Sequence, residues 1–300
     1  MDYKKTRIAP TPSGFLHVGN ILSFSLTAAL AQKSGARVLL RIDDLDRERV
    51  NAAYLGDIFD TLHFLGIPWD EGPADVASFE AQWSQLIRME LYNKALRVLR
   101  DSGAVFACDC SRAQLLRSGA EGVYPGTCRD RGLSLDAPNV NWRLRTPPEV
   151  GLPPEMRDFV VRKKDGFPAY QLTSLVDDLH FGVDLIVRGE DLRPSTLAQL
   201  WLAEVLSAAT LRDGASGQGV FGRNEFRNTR FYHHPLLVTA AGEKLSKSAG
   251  ATSIHYLRQQ GFTPADVYQH IARLLGFAEP VRDWEQLATL VFARGYGVEG

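Results

Sequence analysis

The chain has 300 residues, with 34 Lys and Arg against 35 Asp and Glu, for a formal net charge of -1. That balance excludes a protein that coats nucleic acid indiscriminately, so any RNA partner has to meet a local basic surface. Hydrophobic content of 45% is ordinary for a globular protein, and no run approaches the roughly 18 apolar residues of a membrane helix, so no membrane partner is expected. The opening Met1-Asp2-Tyr3-Lys4-Lys5 lacks the apolar stretch of an export signal, and the expected compartment is the cytoplasm.

Arg7 to Ala9 can form a short strand that Pro10-Thr11-Pro12-Ser13-Gly14 cannot continue. From Asn20 to Lys33, the density of Ile21, Leu22, Phe24, Leu26, Ala29 and Leu30 predicts a buried helix stopped by Gly35. Arg37 to Ile42 is a Leu-rich, β-branched run suited to a buried parallel strand. Strand, helix and strand at this spacing make a right-handed βαβ unit, the seed of a doubly wound sheet. Further helices are predicted over 52–65, before Gly66, and over 80–101, before Gly103. From Phe106 to Arg157 the texture changes to Cys, Arg, Gly and Pro, which reads as a small inserted subdomain. Strands are predicted at Phe159–Arg162 and Val183–Arg188, then a helix at Pro194–Ser207 with Pro at its start. Ala208 to Arg230 reads as an exposed Gly-rich loop, Leu236–Val238 as a short strand, and the chain beyond Ser253 as helical.

Three segments carry chemistry. In Pro10-Thr11-Pro12-Ser13-Gly14-Phe15-Leu16-His17-Val18-Gly19-Asn20, a strand feeds a Pro/Gly turn and His17 stands where a helix begins. Unpaired N–H groups and the helix dipole favour an anion there, Gly19 permits close approach, and His17 and Asn20 can donate to phosphate oxygens. Alone, His17 reads sooner as a residue that caps or packs a helix than as a phosphate ligand. In Gly242-Glu243-Lys244-Leu245-Ser246-Lys247-Ser248-Ala249-Gly250, two lysines flank Ser246 in a Gly-bounded loop able to neutralise a leaving pyrophosphate. Alone, this too could be a solvated turn. Cys108, Cys110 and Cys128 lie within 21 residues. An odd, clustered set without an export signal argues against disulfides and for structural Zn2+, with three thiolates leaving one tetrahedral position open.

Together, the N-terminal His-Val-Gly-Asn turn and Lys244-Leu245-Ser246-Lys247-Ser248 resemble the paired signatures of class I aminoacyl-tRNA synthetases. Arg7-Ile8-Ala9-Pro10-Thr11-Pro12-Ser13-Gly14, Leu40-Arg41-Ile42-Asp43-Asp44-Leu45-Asp46 and Tyr170…Val176-Asp177-Asp178…Ile186-Val187-Arg188-Gly189 are similar to the glutamyl-tRNA synthetase group. The likeness runs in order from about residue 5 to about residue 250. It implies an α/β fold, a Rossmann-like doubly wound parallel sheet with an inserted small zinc-binding subdomain and a short C-terminal helical region. The expected boundaries are 1–105 and 158–250 for the two catalytic halves, 106–157 for the insert and 251–300 for a stem-contact-like region.

The resemblance implies that Arg7, Ala9, Thr11, Asp43, Tyr170 and Arg188 bind glutamate. The chemistry agrees, since Arg7 and Arg188 are forked donors for carboxylates and Asp43 can hold an ammonium. The group usually has Glu where Asp43 stands, one methylene longer. His17, Gly19, Asn20, Lys244, Ser246 and Lys247 are the implied ATP-binding set, with His17, Asn20, Lys244 and Lys247 catalytic and Mg2+ accompanying ATP. Only 53 residues follow Lys247, too few for the anticodon-reading domain of full glutamyl enzymes. The chain therefore resembles the glutamyl-queuosine tRNA(Asp) synthetase branch, which implies Tyr124 as the fourth metal ligand. It also implies the tRNA(Asp) anticodon stem-loop as partner, a target with unstacked bases. A monomer is expected. The alternatives are a truncated enzyme charging the tRNA 3′ end, an inert tRNA-binding paralogue, or a small-molecule nucleotidyltransferase.

Overall fold

Strand β1 (Lys5–Ile8), helix α1 (Val18–Ser34) and strand β2 (Arg37–Leu40) form the predicted βαβ unit, with β1 and β2 parallel. The computed structural model describes residues 2–117, 123–212, 221, 224–238 and 253–295. In chain order there follow α2 (Ala52–Leu65), the single turn α3 (Val76–Ser78), α4 (Met89–Asp101), β3 (Val105–Cys108) and α5 (Arg112–Arg117). Next come β4 (Asn141–Leu144), β5 (Val160–Arg162), α6 (Tyr170–Phe181), β6 (Leu185–Gly189) and α7 (Arg193–Arg212). The last elements are β7 (Arg230–His234), α8 (Ile254–Gln259), α9 (Pro264–Leu274) and α10 (Trp284–Ala293).

The chain divides into two compact units. The first comprises 1–87, 183–191 and 229–300, and holds a parallel sheet in the order β2-β1-β6-β7. Val38-Leu39-Leu40 in β2 and Leu185-Ile186-Val187 in β6 are unbroken apolar runs because helices cover the sheet, and Ile8, Leu39, Leu40, Leu185 and Ile186 are almost fully buried. Helix α1 is apolar nearly all round, as a helix inside a core must be. The C-terminal helices belong to this core. Tyr268 donates to Leu65 O at 2.7 Å and Trp284 Nε1 to Gly66 O at 3.1 Å, so both grip the end of α2. Past β2 the main chain stays paired through Leu40 N–H to Glu71 O at 2.8 Å. The next residue is Gly72, at φ +112°, where a Cβ would lie 2.3 Å from Leu40 O. Only glycine fits.

The second unit, 88–182 with 192–228, holds a three-stranded antiparallel sheet in the order β3-β4-β5. Helices α4, α6 and α7 pack on one another around Asp177. The Asp177 carboxylate is fully buried and accepts from Arg88 Nε at 2.8 Å, Arg88 Nη2 at 3.1 Å and the Tyr92 hydroxyl at 2.7 Å.

Three segments differ from the reading by pattern. The helix predicted over 80–101 is broken, because Ser84 is extended at φ -56° and ψ 141°. The cause is remote in sequence. Buried Asp44 accepts Ser84 Oγ at 2.7 Å and Gln85 N–H at 2.8 Å, pulling the chain off the helical path, and α4 restarts at Met89. The predicted loop 208–230 begins too early, since α7 continues to Arg212, with Ala209 buried beneath it. Arg230–His234, which the pattern did not mark, forms a strand beside β6, and of the strand expected at Leu236–Val238 the described residues show a bridge at Val238. In Arg230–His234, alternating Phe231 and His233 hid a strand that pairs along its full length. No helix among the described residues is long and apolar enough to cross a membrane.

Candidate active site

In the first unit β1 lies between β2 and β6, so the chain departs to opposite sides of β1. Open parallel sheets bind ligands beyond the carboxyl ends of their strands at such a reversal. Ala9 and Thr11 follow β1, Asp43 follows β2, and Arg188 stands near the end of β6. Asp43 N–H donates to Pro10 O at 2.9 Å and Arg41 N–H to Ile8 O at 2.8 Å, locking the two exits together. Arg7 is buried and reaches across to Val187 O at 3.3 Å. Arg188 is buried with its guanidinium 5.0 Å from the Phe231 ring centre. Two desolvated guanidinium groups on neighbouring strands make this end of the sheet suited to carboxylates. After Arg188 the backbone turns tightly, and a Cβ on Gly189 would meet Asp191 Oδ1 at 2.7 Å and Leu236 at 3.0 Å.

Asp43 has a companion that pattern reading quoted without a role. Arg41 grips it in a bidentate pair, Nε at 2.8 Å and Nη2 at 3.1 Å, both side chains buried. The signal was present, since residues two apart share one side of an extended chain. The pairing orients the Asp43 carboxylate, whose remaining lone pairs suit an ammonium.

His17 is the N-cap of α1. Its Nδ1 accepts from Gly19 N–H at 3.1 Å, while Asn20 Oδ1 accepts from His17 N–H at 3.1 Å, a reciprocal capping box. The expected unpaired N–H groups are therefore partly satisfied by the turn's own side chains. Accepting at Nδ1 places the ring proton on Nε2, making that nitrogen the donor. The Asn20 amide nitrogen likewise remains its donor end. Gly19 also keeps clear of the His17 ring, which a Cβ there would approach to 3.0 Å. Lys244, Ser246 and Lys247 lie outside the described residues. Tyr170, in the second unit, opens α6 and is 44% exposed.

The cysteines converge on β3 and the turn after Tyr124 in the second unit. Their sulfur atoms lie within 4.8 Å of one another, Cys110 and Cys128 at 3.5 Å. Tetrahedral zinc at about 2.3 Å from each sulfur needs them roughly 3.8 Å apart, so the set fits the ion. The Tyr124 oxygen, accepting from Cys128 N–H at 2.7 Å, also interacts with the Cys108 and Cys128 thiols. Burial opposes ionisation of Cys108, but hydrogen bonds from Arg143 and the Cys110 main chain outweigh it and lower its pKa. Burial and the neighbouring sulfurs push the Cys110 thiol up to about 12. Arg131 adds positive charge, donating to Asp109 at 2.9 Å and to Cys128 Sγ at 3.4 Å. The Arg143 guanidinium lies 3.8 Å from the Tyr124 ring centre, a cation–π contact that steadies the ring.

Residues 4–129 and 137–214 match the model of the tRNA synthetases class I (E and Q), catalytic domain. The chain belongs to that family. Its class I membership makes it a ligase of the aminoacyl-tRNA synthetase kind, and ATP is a substrate of such enzymes. It is 37% identical to the Glutamyl-Q tRNA(Asp) synthetase of Parasynechococcus marenigrum, over 91% of this chain and 84% of that one. The Glutamyl-Q tRNA(Asp) synthetase of Symbiobacterium thermophilum is 35% identical, over 96% of this chain and 92% of its own length. The crystal structure of glutamate-tRNA synthetase from Elizabethkingia anophelis superposes with a TM-score of 0.66 at 20% identity. It shares the fold over 96% of this chain, which spans 65% of that structure.

Proposed function

We propose that this class I ligase activates glutamate with ATP and transfers it to queuosine at the wobble position of tRNA(Asp). The observation that carries the reading is the likeness to Glutamyl-Q tRNA(Asp) synthetases along most of their length. The first unit supports the activation half. Arg7 and Arg188 receive the two carboxylates, Asp43, held by Arg41, takes the ammonium, and Ala9 and Thr11 line the exit of β1. Tyr170 is assigned to glutamate by the resemblance.

A glutamate carboxylate oxygen attacks the α-phosphorus of ATP, the bond to the β-phosphate bridging oxygen breaks, and pyrophosphate leaves. Little covalent help is needed, so positioning and charge dominate, and orientation alone can contribute about 7–11 kcal/mol. His17 Nε2 and Asn20 donate to phosphate oxygens beside Gly19, with Mg2+ accompanying the nucleotide. Lys244, Ser246 and Lys247 neutralise charge on the departing pyrophosphate. A queuosine hydroxyl oxygen then attacks the acyl carbon, the mixed anhydride breaks, AMP leaves and the hydroxyl proton is released. Zn2+ held by Cys108, Cys110, Tyr124 and Cys128 plays a structural part, tying the Tyr124 turn to β3. The tRNA(Asp) anticodon stem-loop is the RNA partner, bound by a monomer.

Glutamate-dependent ATP–pyrophosphate exchange tests activation, and it should proceed without tRNA. Labelled glutamate should then enter queuosine-containing tRNA(Asp) and not queuosine-lacking tRNA(Asp). Full acceptance by the latter would overturn the acceptor, and silence in the exchange assay with every amino acid would overturn the activation.

A further inference from the structure

The peptide that delivers His17 is held from outside its own element. Leu16 O accepts from Ile254 N–H at 2.7 Å, and His17 forms an isolated antiparallel bridge with Ser253. Leu16 N–H donates to Asp57 Oδ2 at 3.3 Å, from the middle of α2. Both polar groups of the residue before His17 are thereby occupied. The side chains repeat the arrangement. His255 stacks on Phe15 with ring centres 4.2 Å apart and planes 8° off parallel, while Tyr54 meets Phe15 edge-on at 4.9 Å. His255 Nδ1 lies 3.6 Å from Asp57 Oδ1, and Arg258 approaches the same oxygen at 3.9 Å. Asp57 is buried within α2, and that burial raises its pKa. One carboxylate thus faces the His17 turn with one oxygen and α8 with the other.

An ionisable side chain is a costly choice here for packing alone. Asp57 is a charged group on the buried face of α2, between Tyr54, Ile58 and Thr61, where an apolar residue would pack at lower desolvation cost. His255 is 40% exposed at its side chain, so its stack buries little. Both hold the Phe15-Leu16 segment, Asp57 at the Leu16 N–H and His255 at the Phe15 ring.

We propose that His255 and Asp57 are positioning residues for ATP: they clamp the Phe15-Leu16 peptide and so fix where His17 Nε2 points. The ATP role of His17 comes from the function proposed above; the clamp itself is independent of which amino acid is activated. A misplacement of about 1 Å by a remote residue can cost about a hundredfold in rate, and loss of one side of this clamp should cost roughly a tenth of that.

The test uses the full chain with two probes: equilibrium binding of a non-hydrolysable ATP analogue, and glutamate-dependent exchange. His255→Ala should weaken analogue binding and raise KM for ATP by about tenfold, leaving KM for glutamate and the melting temperature unchanged. His255→Phe, which keeps the stack, should restore most of the affinity. Asp57→Asn, which keeps an acceptor for Leu16 N–H, provides a second arm should another substitution at that site fail to fold. Unchanged analogue binding in His255→Ala would overturn the clamp and leave the glutamate reading standing. Losses that track a lowered melting temperature and affect both substrates equally would also overturn it. If the unmodified protein binds the analogue but shows no glutamate exchange, the glutamate reading fails while the clamp is still decided by binding alone.

Discussion

Asp44 shows how one side chain can decide local structure. It is buried, accepts from Ser84 Oγ and Gln85 N–H, and pairs with Arg47 at 2.8 Å. Arg47 is 43% exposed at its side chain, so that pair contributes little. The two buried donors matter more, because hydrogen bonds to a charged acceptor contribute about 1.5–3 kcal/mol each. Asp44→Ala should therefore cost about 3 kcal/mol in urea denaturation. A cost below about 1 kcal/mol would mean that the kink at Ser84 is held by other contacts. The same side chain explains why helical periodicity misled over 80–101: it reports which faces are apolar, and it is blind to an acceptor forty residues upstream. Arg41 illustrates the reverse case. Its spacing from Asp43 announced the pair, and only the chemistry of the site gave that spacing a meaning.

At the scale of elements, the cysteine turn is where the proposed zinc would act. Between β3 and β4 the described chain is mostly turns, and its buried apolar cluster is only Phe106, Tyr124 and the two buried cysteines. The proposed metal would tie together so small a core. Purified protein should carry about one zinc per chain by elemental analysis. Cys110→Ser should lower that content and increase protease cleavage near Tyr124, whereas full stability of a zinc-free preparation would contradict the structural role. The capping of α1 belongs at this scale too. His17 satisfies Gly19 N–H with one ring nitrogen and presents the other as a donor, so cap and ATP ligand are compatible roles of one residue. The sequence reading had set these two roles against each other, because a one-dimensional motif does not distinguish the nitrogens.

For the whole molecule, three histidines set a pH dependence. Burial lowers the pKa of His180, helped by Arg88; of His234, against the pull of Pro235 O, Asp191 and Glu190; and of His270, helped by Arg273. Above the ordinary value of 6.5, folded and unfolded chains both carry these rings neutral, and no effect is expected. Below 6.5 the unfolded chain takes up protons that the folded chain resists, so stability falls as pH drops, until the folded values are passed. Asp57, whose pKa is raised, works the other way towards the acid end. The urea midpoint should be lower at about pH 5.5 than at about pH 7.5, and His234→Gln should flatten the difference. An equal midpoint at both values would refute this account.

Much of the catalytic unit was legible in the chain. Apolar runs bounded by Gly35 and Gly66 marked α1, β2 and α2, and the Pro10–Gly14 turn marked the end of β1, because a helix or buried strand is written in local periodicity and its stop in a residue that cannot continue it. The order of the His17 turn, Asp43, Arg188 and the lysine segment identified the family, since each motif keeps its own residue types at its own place in the chain. The tertiary structure alone decided the rest. It paired Arg230–His234 with β6, broke the helix at Ser84, extended α7 to Arg212, and set Asp57 and His255 around Leu16. Each of these depends on a hydrogen bond, ion pair or packed face contributed from elsewhere in the chain, and such partners leave no trace in the spacing of the residues they control.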